Sequence, residues 1–332
     1  MAEESKVATL SAEAITTEEQ TPFQLVIRRF RKHRMAMFSM VLISIVFVIS
    51  LFAKQLSPFE VDELMVGKYF APWGNVDTAT GRIHYMGTDN IGRDYFSRLV
   101  HAGRISLTIA VSAVLISSVI GMAVGAYAGF YGGTIDSVIS RFIEFLLTIP
   151  TLPLLLILSS MLIRNEDLIP IPAPILYGAG KLMLLSPYQA RQGVLIILIF
   201  AGLGWLESAQ LMRGTTLTLR EQTFIEASKS LGASDMQIIF KHMIPNSMAP
   251  IIVSASLALG GYIVFEAALS FLGFGIQDPI PTWGNMLSAT QQFMLDKPWL
   301  PLVPGLPIFI CALAFNYVGD GLRDALDPRL KK

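Results

Sequence analysis

Residues 226–232 read Glu226-Ala227-Ser228-Lys229-Ser230-Leu231-Gly232, and after nine more residues the chain reads His242-Met243-Ile244-Pro245. They sit in the longest polar interruption between strongly apolar segments of the C-terminal half. Phe224, Ala227, Ser228 and Leu231 recur at helical spacing, so residues 218–231 are expected to form one helix with a small, apolar face. Gly232 is placed to take the left-handed conformation that ends it. Ser234-Asp235-Met236-Gln237 then forms a capping box. The helix that follows sets Met236, Ile239, Phe240 and Met243 on one face and is expected to stop at Pro245. A helix–Gly–helix between apolar segments reads as a soluble element hung from membrane helices. An ordinary connection between two spans would share this chemistry.

The rest of the composition agrees with a membrane setting. Of 332 residues, 53% are apolar and 15% charged, and the mean hydropathy is +0.56. Soluble domains carry about 25% charged residues. The fold class expected is therefore all-α and polytopic. A formal net charge of zero implies no polyanionic partner, nucleic acid included. Cys311 is alone in an apolar run, so neither a disulfide nor a cysteine metal site arises within one chain. His33, His84, His101 and His242 are scattered, without metal-ligand spacing. The first apolar stretch starts late and no small-x-small cleavage site follows, so no cleavable signal is expected.

Residues 1–20, rich in Ser, Thr, Ala and Glu, read as a disordered tail. Segment 21–56 opens on Thr21-Pro22-Phe23-Gln24, a helix start with Thr at the N-cap and Pro at N1. The short helix after it carries Phe23, Val26, Ile27 and Phe30 among Arg28, Arg29, Arg31, Lys32 and Arg34, and is expected at the lipid interface. Six spans of roughly 20 apolar residues follow: 35–53, one within 105–135, 138–163, 193–212, 247–272 and 298–319. Pro150 and Pro153 predict a kink in the third. Residues 168–180 are short, uncharged and hold Pro170, Pro172 and Pro174, which predicts a re-entrant or interfacial segment. The Lys and Arg bias, dominated by the cluster before the first span, predicts both termini, including the 321–332 tail, on the cytoplasmic side. Loop 213–246 is then cytoplasmic, and 57–104, 164–192 and 273–297 are external, the five-helix body covering 105–320.

Ionisable residues within spans are costly and face protein or water. Arg141 and Glu144 stand at i,i+3, Glu207 is in the fourth span and Glu266 in the fifth. They line a substrate path, relay protons or pair across helices to hold the packing, the last reading being preferred. Gly121, Gly125 and Gly129, four apart, predict close helix packing on the second span. Outside it, Asp89 is a candidate helix cap, and Asp94 and Arg98 a candidate i,i+4 pair.

Two sets of motifs carry a resemblance. Glu226-Ala227-Ser228, Gly232, Ile244 and Pro245 resemble the Glu-Ala-Ala loop of ABC importer permeases, with Ser228, His242 and Ile244 off the family pattern. Gly87-Thr88-Asp89, Gly92-Arg93-Asp94, Ser97-Arg98-Leu99, Arg104 and Ser106-Leu107 resemble the signature stretch of the dipeptide and oligopeptide group. Gly129-Phe130-Tyr131-Gly132-Gly133, the run 266–273 and Trp283-Gly284-Asn285 follow in family order. The chain is similar to the C-type permease subunit over residues 22–325. Two departures stand out: 164–192 is longer than that family's connection, an external insertion, and Gln210 replaces its usual Arg.

The resemblance implies a type I importer architecture and a non-catalytic permease in a prokaryotic plasma membrane. It also implies a B-type permease partner, two ATPase subunits that hold ATP and Mg, and an external substrate-binding protein. Substrate would pass by alternating access, with loop 213–246 coupling it to the ATPases. Cargo is expected to be di- or oligopeptides, with nickel or oligosaccharides as alternatives. No phosphate-binding Gly-x-x-x-x-Gly-Lys-Ser/Thr occurs; Gly180-Lys181 is followed by Leu182. No zincin motif or nucleophile elbow occurs either. An ion-coupled secondary transporter remains a rival, with Glu144, Glu207 and Glu266 as ion sites, but no second broken helix matches the third span.

Overall fold

Two long helices touch along their length because glycines leave room for them. The computed structural model describes residues 22–65 and 67–327. The 1–20 tail, the Thr21 cap and residues 328–332 lie outside them. The helices are α1 (Pro22–Lys32), α2 (Arg34–Leu51), α3 (Tyr95–Tyr131), α4 (Gly133–Leu147), α5 (Thr151–Arg164), α6 (Ala173–Met183) and α7 (Pro187–Arg220). After them come α8 (Thr223–Ser230), α9 (Asp235–Ile238), α10 (Met248–Phe271), α11 (Trp283–Ala289) and α12 (Trp299–Leu326). A ribbon of two-residue strands, β1 (Asn75–Val76) and β2 (Ile83–His84), and an isolated bridge between Thr88 and Asp94 are the departures from all-α among the described residues.

α3 and α7 form the central pair. A side chain at Gly121, Gly125 or Gly129 would collide with Ser208, Ala209 or Thr216 of α7. Apolar side chains then close two cores. Ile105, Ile109, Ile196, Phe200 and Leu269 build one. Tyr95, Ile263, Trp283, Met286, Cys311 and Phe315 build the other.

Several spans differ from their expected form. Among the described residues five helices are long and apolar enough to cross a membrane: α2, α3, α7, α10 and α12. The predicted third span is broken, not kinked: α4 and α5 meet at 86°. Pro150 has no N–H to continue the helix and disfavours helical geometry at the residue before it. Pro153 falls in the first turn of α5, where the N–H groups are free in any case. α7 outruns its predicted 193–212 because Ser186 and Gln189 cap it reciprocally with Pro187 at N1. α12 extends to Leu326, taking in most of the described part of the expected tail.

α1 does not simply lie on lipid. Phe30 and Val26 pack on Val318, Leu322 and Ala325 of α12. The Arg29 guanidinium donates to the Asp327 carbonyl at 3.0 Å. Leu25 and Ile27 stay exposed. In the 168–180 stretch, α6 is an 11-residue helix against α7, too short to cross a bilayer.

Candidate functional site

The loop after α7 is two helices seated on a buried base. The predicted continuous helix 218–231 is interrupted: α7 ends at Arg220 and α8 begins at Thr223. Ile225 is 0% exposed and packs with Ile238, Ile239 and Met243 against Ala126, Phe130 and Met212, at the far ends of α3 and α7. The predicted face Phe224–Leu231 points away from that base, with Leu231 88% exposed. Glu226 and Ala227 are exposed and Ser228 is half-buried. Gly232 has φ +82°, as its position predicts, and nothing crowds it, so glycine is needed there for its backbone and not for space.

The second helix of the loop divides differently from expectation. Ser234 and Gln237 form the predicted capping box. Ile239 and Met243 are buried, but Met236 and Phe240 are exposed, so these four do not share a face. Pro245 does not end the helix. A π turn, Ile239–Met243, precedes it, and a last turn, Ile244–Asn246, carries Pro245. The wider turn accommodates a residue that has no N–H to donate. Arg213, at the start of the loop, grips Asp136 of α4 through two hydrogen bonds, one of them 2.7 Å.

A cavity of about 220 Å³ lies between α3, α7, α10 and the α4–α5 break. Its walls are mostly apolar, with Leu146, Leu147, Leu155, Leu203 and Phe265. Among the described residues Glu207 is the one charged residue that lines it. Gly204, one turn before Glu207, has no side chain where the Tyr262 hydroxyl sits. That hydroxyl is 3.5 Å from both the Ser117 hydroxyl and the Phe200 carbonyl.

The other predicted membrane charges lie elsewhere. Glu266 is buried and accepts from Ser106 and Ser270, each at 2.8 Å, which joins α10 to α3 as the packing alternative expected. Arg141 and Glu144 pair with each other at 3.2 Å on the exposed side of α4.

At the opposite end of α3 from the loop, the 57–94 segment folds around charges. Asp89 does not cap the helix. Its carboxylate accepts from the Ile91 and Arg93 amides at 3.0 and 2.9 Å and from Arg93 Nε at 2.7 Å. Asp94 is the cap: it accepts from the Ser97 amide at 2.7 Å, and its other oxygen meets His84 Nδ1 at 2.7 Å. Asp94 is therefore taken, and Arg98 pairs with Asp278 at 2.8 Å instead. Arg93 reaches the same carboxylate at 2.8 Å, so one aspartate joins the 57–98 and 273–282 segments. Gly92, at φ +92°, lies against the Met65 carbonyl, where a Cβ would come to 2.5 Å. Arg104 donates to the Leu51 and Leu182 carbonyls, both at 2.6 Å, fastening the 164–192 segment to α2 and α3. Among the described residues no His, Cys, Asp or Glu cluster could hold a metal.

The family model for "binding-protein-dependent transport system inner membrane component" matches residues 121–332, and that for the "N-terminal TM domain of oligopeptide transport permease C" matches 21–75. The chain belongs to the binding-protein-dependent transport permeases. It is 35% identical over 326 residues to a glutathione transport system permease of Escherichia coli strain 536, covering 98% of this chain and 97% of that one. A dipeptide transport system permease of Alkalihalophilus pseudofirmus is 35% identical over 311 residues, 94% of this chain and 91% of its own. A glutathione permease of Pectobacterium atrosepticum is 34% identical over 312 residues, 94% and 93%. The chain is thus a permease subunit of an ABC importer, in a multi-pass membrane setting.

In this permease the predicted external signature, Asp89, Gly92, Arg93, Asp94, Ser97 and Arg98, forms one connected cluster. Of the predicted loop residues, Glu226, Ala227 and Ser228 lie on α8 and Gly232 just beyond it, while Ile244 and Pro245 lie in the turn that follows the π turn. The four predicted membrane charges do not come together. Ile225 and Asp278 were missed. Ile225 is the one aliphatic β-branched residue in an otherwise mostly polar helix, a signal of an anchor. Asp278 lies 180 positions from Arg98, with no local pattern to connect them.

Proposed function

We propose that this permease subunit imports di- or oligopeptides by alternating access, driven by two partner ATPases that bind ATP and Mg. In this reading the chain has six spans, with the α4–α5 pair as one. Its termini and loop 213–246 are cytoplasmic, in a prokaryotic plasma membrane. The 57–104 segment, the 164–192 insertion and 273–297 face outward, where a substrate-binding protein delivers cargo. A B-type permease completes the path.

The observation that carries this reading is the loop's construction. A base of Ile225, Ile238, Ile239 and Met243 is locked onto α3 and α7, while Phe224, Leu231, Met236 and Phe240 are left exposed. Exposed apolar side chains on a firmly seated base suit a socket on another subunit. Glu226, Ala227, Ser228 and Gly232 shape the part that enters it, and Ile244 and Pro245 pass its displacement to α10. ATP supplies the differential binding that a two-state cycle requires. Peptide cargo is supported by relatives named for dipeptide and glutathione transport.

Mild purification of the chain tests the assembly: two ATPases, a second permease and a binding protein should accompany it. ATP-dependent uptake of a peptide by that assembly in vesicles tests the cargo. Uptake by the chain alone without ATP would overturn the reading.

A further inference from the structure

The carboxylate of Glu207 has no hydrogen-bond or ion-pair partner among the described residues, and it is exposed into the cavity between α3, α7, α10 and the α4–α5 break. A lone charge inside a membrane body is costly unless water or a cation faces it. The break supplies an independent sign that the space is wet. Thr148-Ile149-Pro150 leaves the helix there, Ile149 and Thr151 line the cavity, and irregular backbone at membrane depth is tolerated where it borders a water-filled space. Apolar walls lower the local dielectric, which strengthens the pull of one carboxylate on a cation. Gly204 admits the Tyr262 hydroxyl beside it, with Ser117 and Ser254 also on the wall. The surroundings of Glu207 are therefore one anionic acceptor, several hydroxyls and no basic side chain.

We infer that this cavity is the cargo-recognising part of the path and that Glu207 binds the free N-terminal ammonium of a peptide in transit. The inference rests on the peptide-import reading above. An ammonium donates up to three hydrogen bonds, one to the carboxylate and others to the hydroxyls. A blocked amino end brings no charge and fewer donors. Arg141–Glu144 is self-paired and Glu266 is sealed by two serines, so neither competes for this role.

The test uses the assembled transporter in nanodiscs with Ala258→Cys as a reporter in the cavity; Cys311 is buried and does not compete for the thiol reagent. Tri-alanine amide should protect the reporter from the reagent. N-acetyl-tri-alanine amide should protect about tenfold less well, as should tri-alanine amide in the Glu207→Gln variant, the factor for losing one charge-assisted hydrogen bond. Glu207→Asp should retain most of the protection. Equal protection by the acetylated peptide, or an unchanged Glu207→Gln variant, would overturn the inference. If the Gln variant does not assemble, the free-amine against acetylated comparison on the native carboxylate decides alone. ATP-driven uptake of tri-alanine is measured alongside. Its absence marks failure of the peptide reading, whereas uptake with no amine preference at the reporter marks failure of the Glu207 assignment.

Discussion

The two ends of α3 solve the same problem in opposite ways. At one end the 57–98 segment pairs its charges with the help of the 273–282 segment: Asp89, Arg93, Asp278 and Arg98 follow one another in a line of ion pairs, and Asp94 is shared between His84 and the helix cap. At the other end the 213–246 loop buries four apolar anchors and leaves a comparable apolar set uncovered. The first region finds its ion-pair partners within this chain. The second leaves Phe224, Leu231, Met236 and Phe240 exposed. Ion pairs fix geometry through direction and charge, whereas an apolar knob can seat and release without breaking a specific bond, which suits the coupling role proposed for the loop.

The largest effect that sharpens this contrast is Gly232→Val. A β-branched residue at φ +82° costs about 1–3 kcal/mol locally and re-aims the loop tip. Uptake should disappear while membrane insertion and yield stay normal; normal transport by a well-expressed variant would break the coupling role. Ile225→Ala comes next. Removing a fully buried anchor should cost about 2–5 kcal/mol, read as hydrogen exchange that rises across 222–246 and leaves the 57–98 segment unchanged. Spread of that change to both ends would mean the regions are not independent. Asp278→Asn should cost about 1–3 kcal/mol by leaving Arg93 and Arg98 short of an acceptor. Faster proteolysis of the 57–98 segment, with loop exchange unaltered, is the expected readout. Leu231→Ser, at the exposed tip, should change thermal stability by no more than about 0.5 kcal/mol yet weaken ATPase co-purification.

The smallest effect is one of pH. The Lys68 ammonium, then the Thr80 hydroxyl, hold the Asp77 carboxyl well below the usual carboxylate range. A depressed carboxylate stabilises its fold above its unfolded value of about 3.9 and loses that contribution as pH falls further. Amide protection in the β1–β2 ribbon should therefore be flat from neutral pH to about 5 and fall below about 4. In Lys68→Met that acid-dependent loss should shrink. The apolar loop base, which has no such carboxylate among its anchors, should show no matching step.

Local chemistry in the sequence was legible where one short motif decides the outcome. The Ser234–Gln237 box, the left-handed Gly232 and the glycine repeat on α3 all follow from spacing alone. Prediction failed where two local options competed and a distant residue chose between them. Asp94 was free to pair with Arg98 until His84 and the helix cap claimed it, and Asp278 then claimed Arg98. Asp89 looked like a cap but serves Arg93. Met236 and Phe240 have the periodicity of a buried face, yet they remain uncovered while Ile238, Ile239 and Met243 turn inward. Pro150 was recognised as a disturbance, but nothing local distinguishes a kink from an 86° break beside a cavity.

The grip of α1 on the end of α12 sets a clock for synthesis. Arg29 and Asp327 are 298 positions apart, and α2 also lies against α12. At about 5–20 residues per second, the first helices are made roughly 15–60 s before the surface that covers Phe30 and Ala36 exists. Through that interval the faces of α1 and α2 that carry Phe30 and Ala36 have nothing of α12 to pack against.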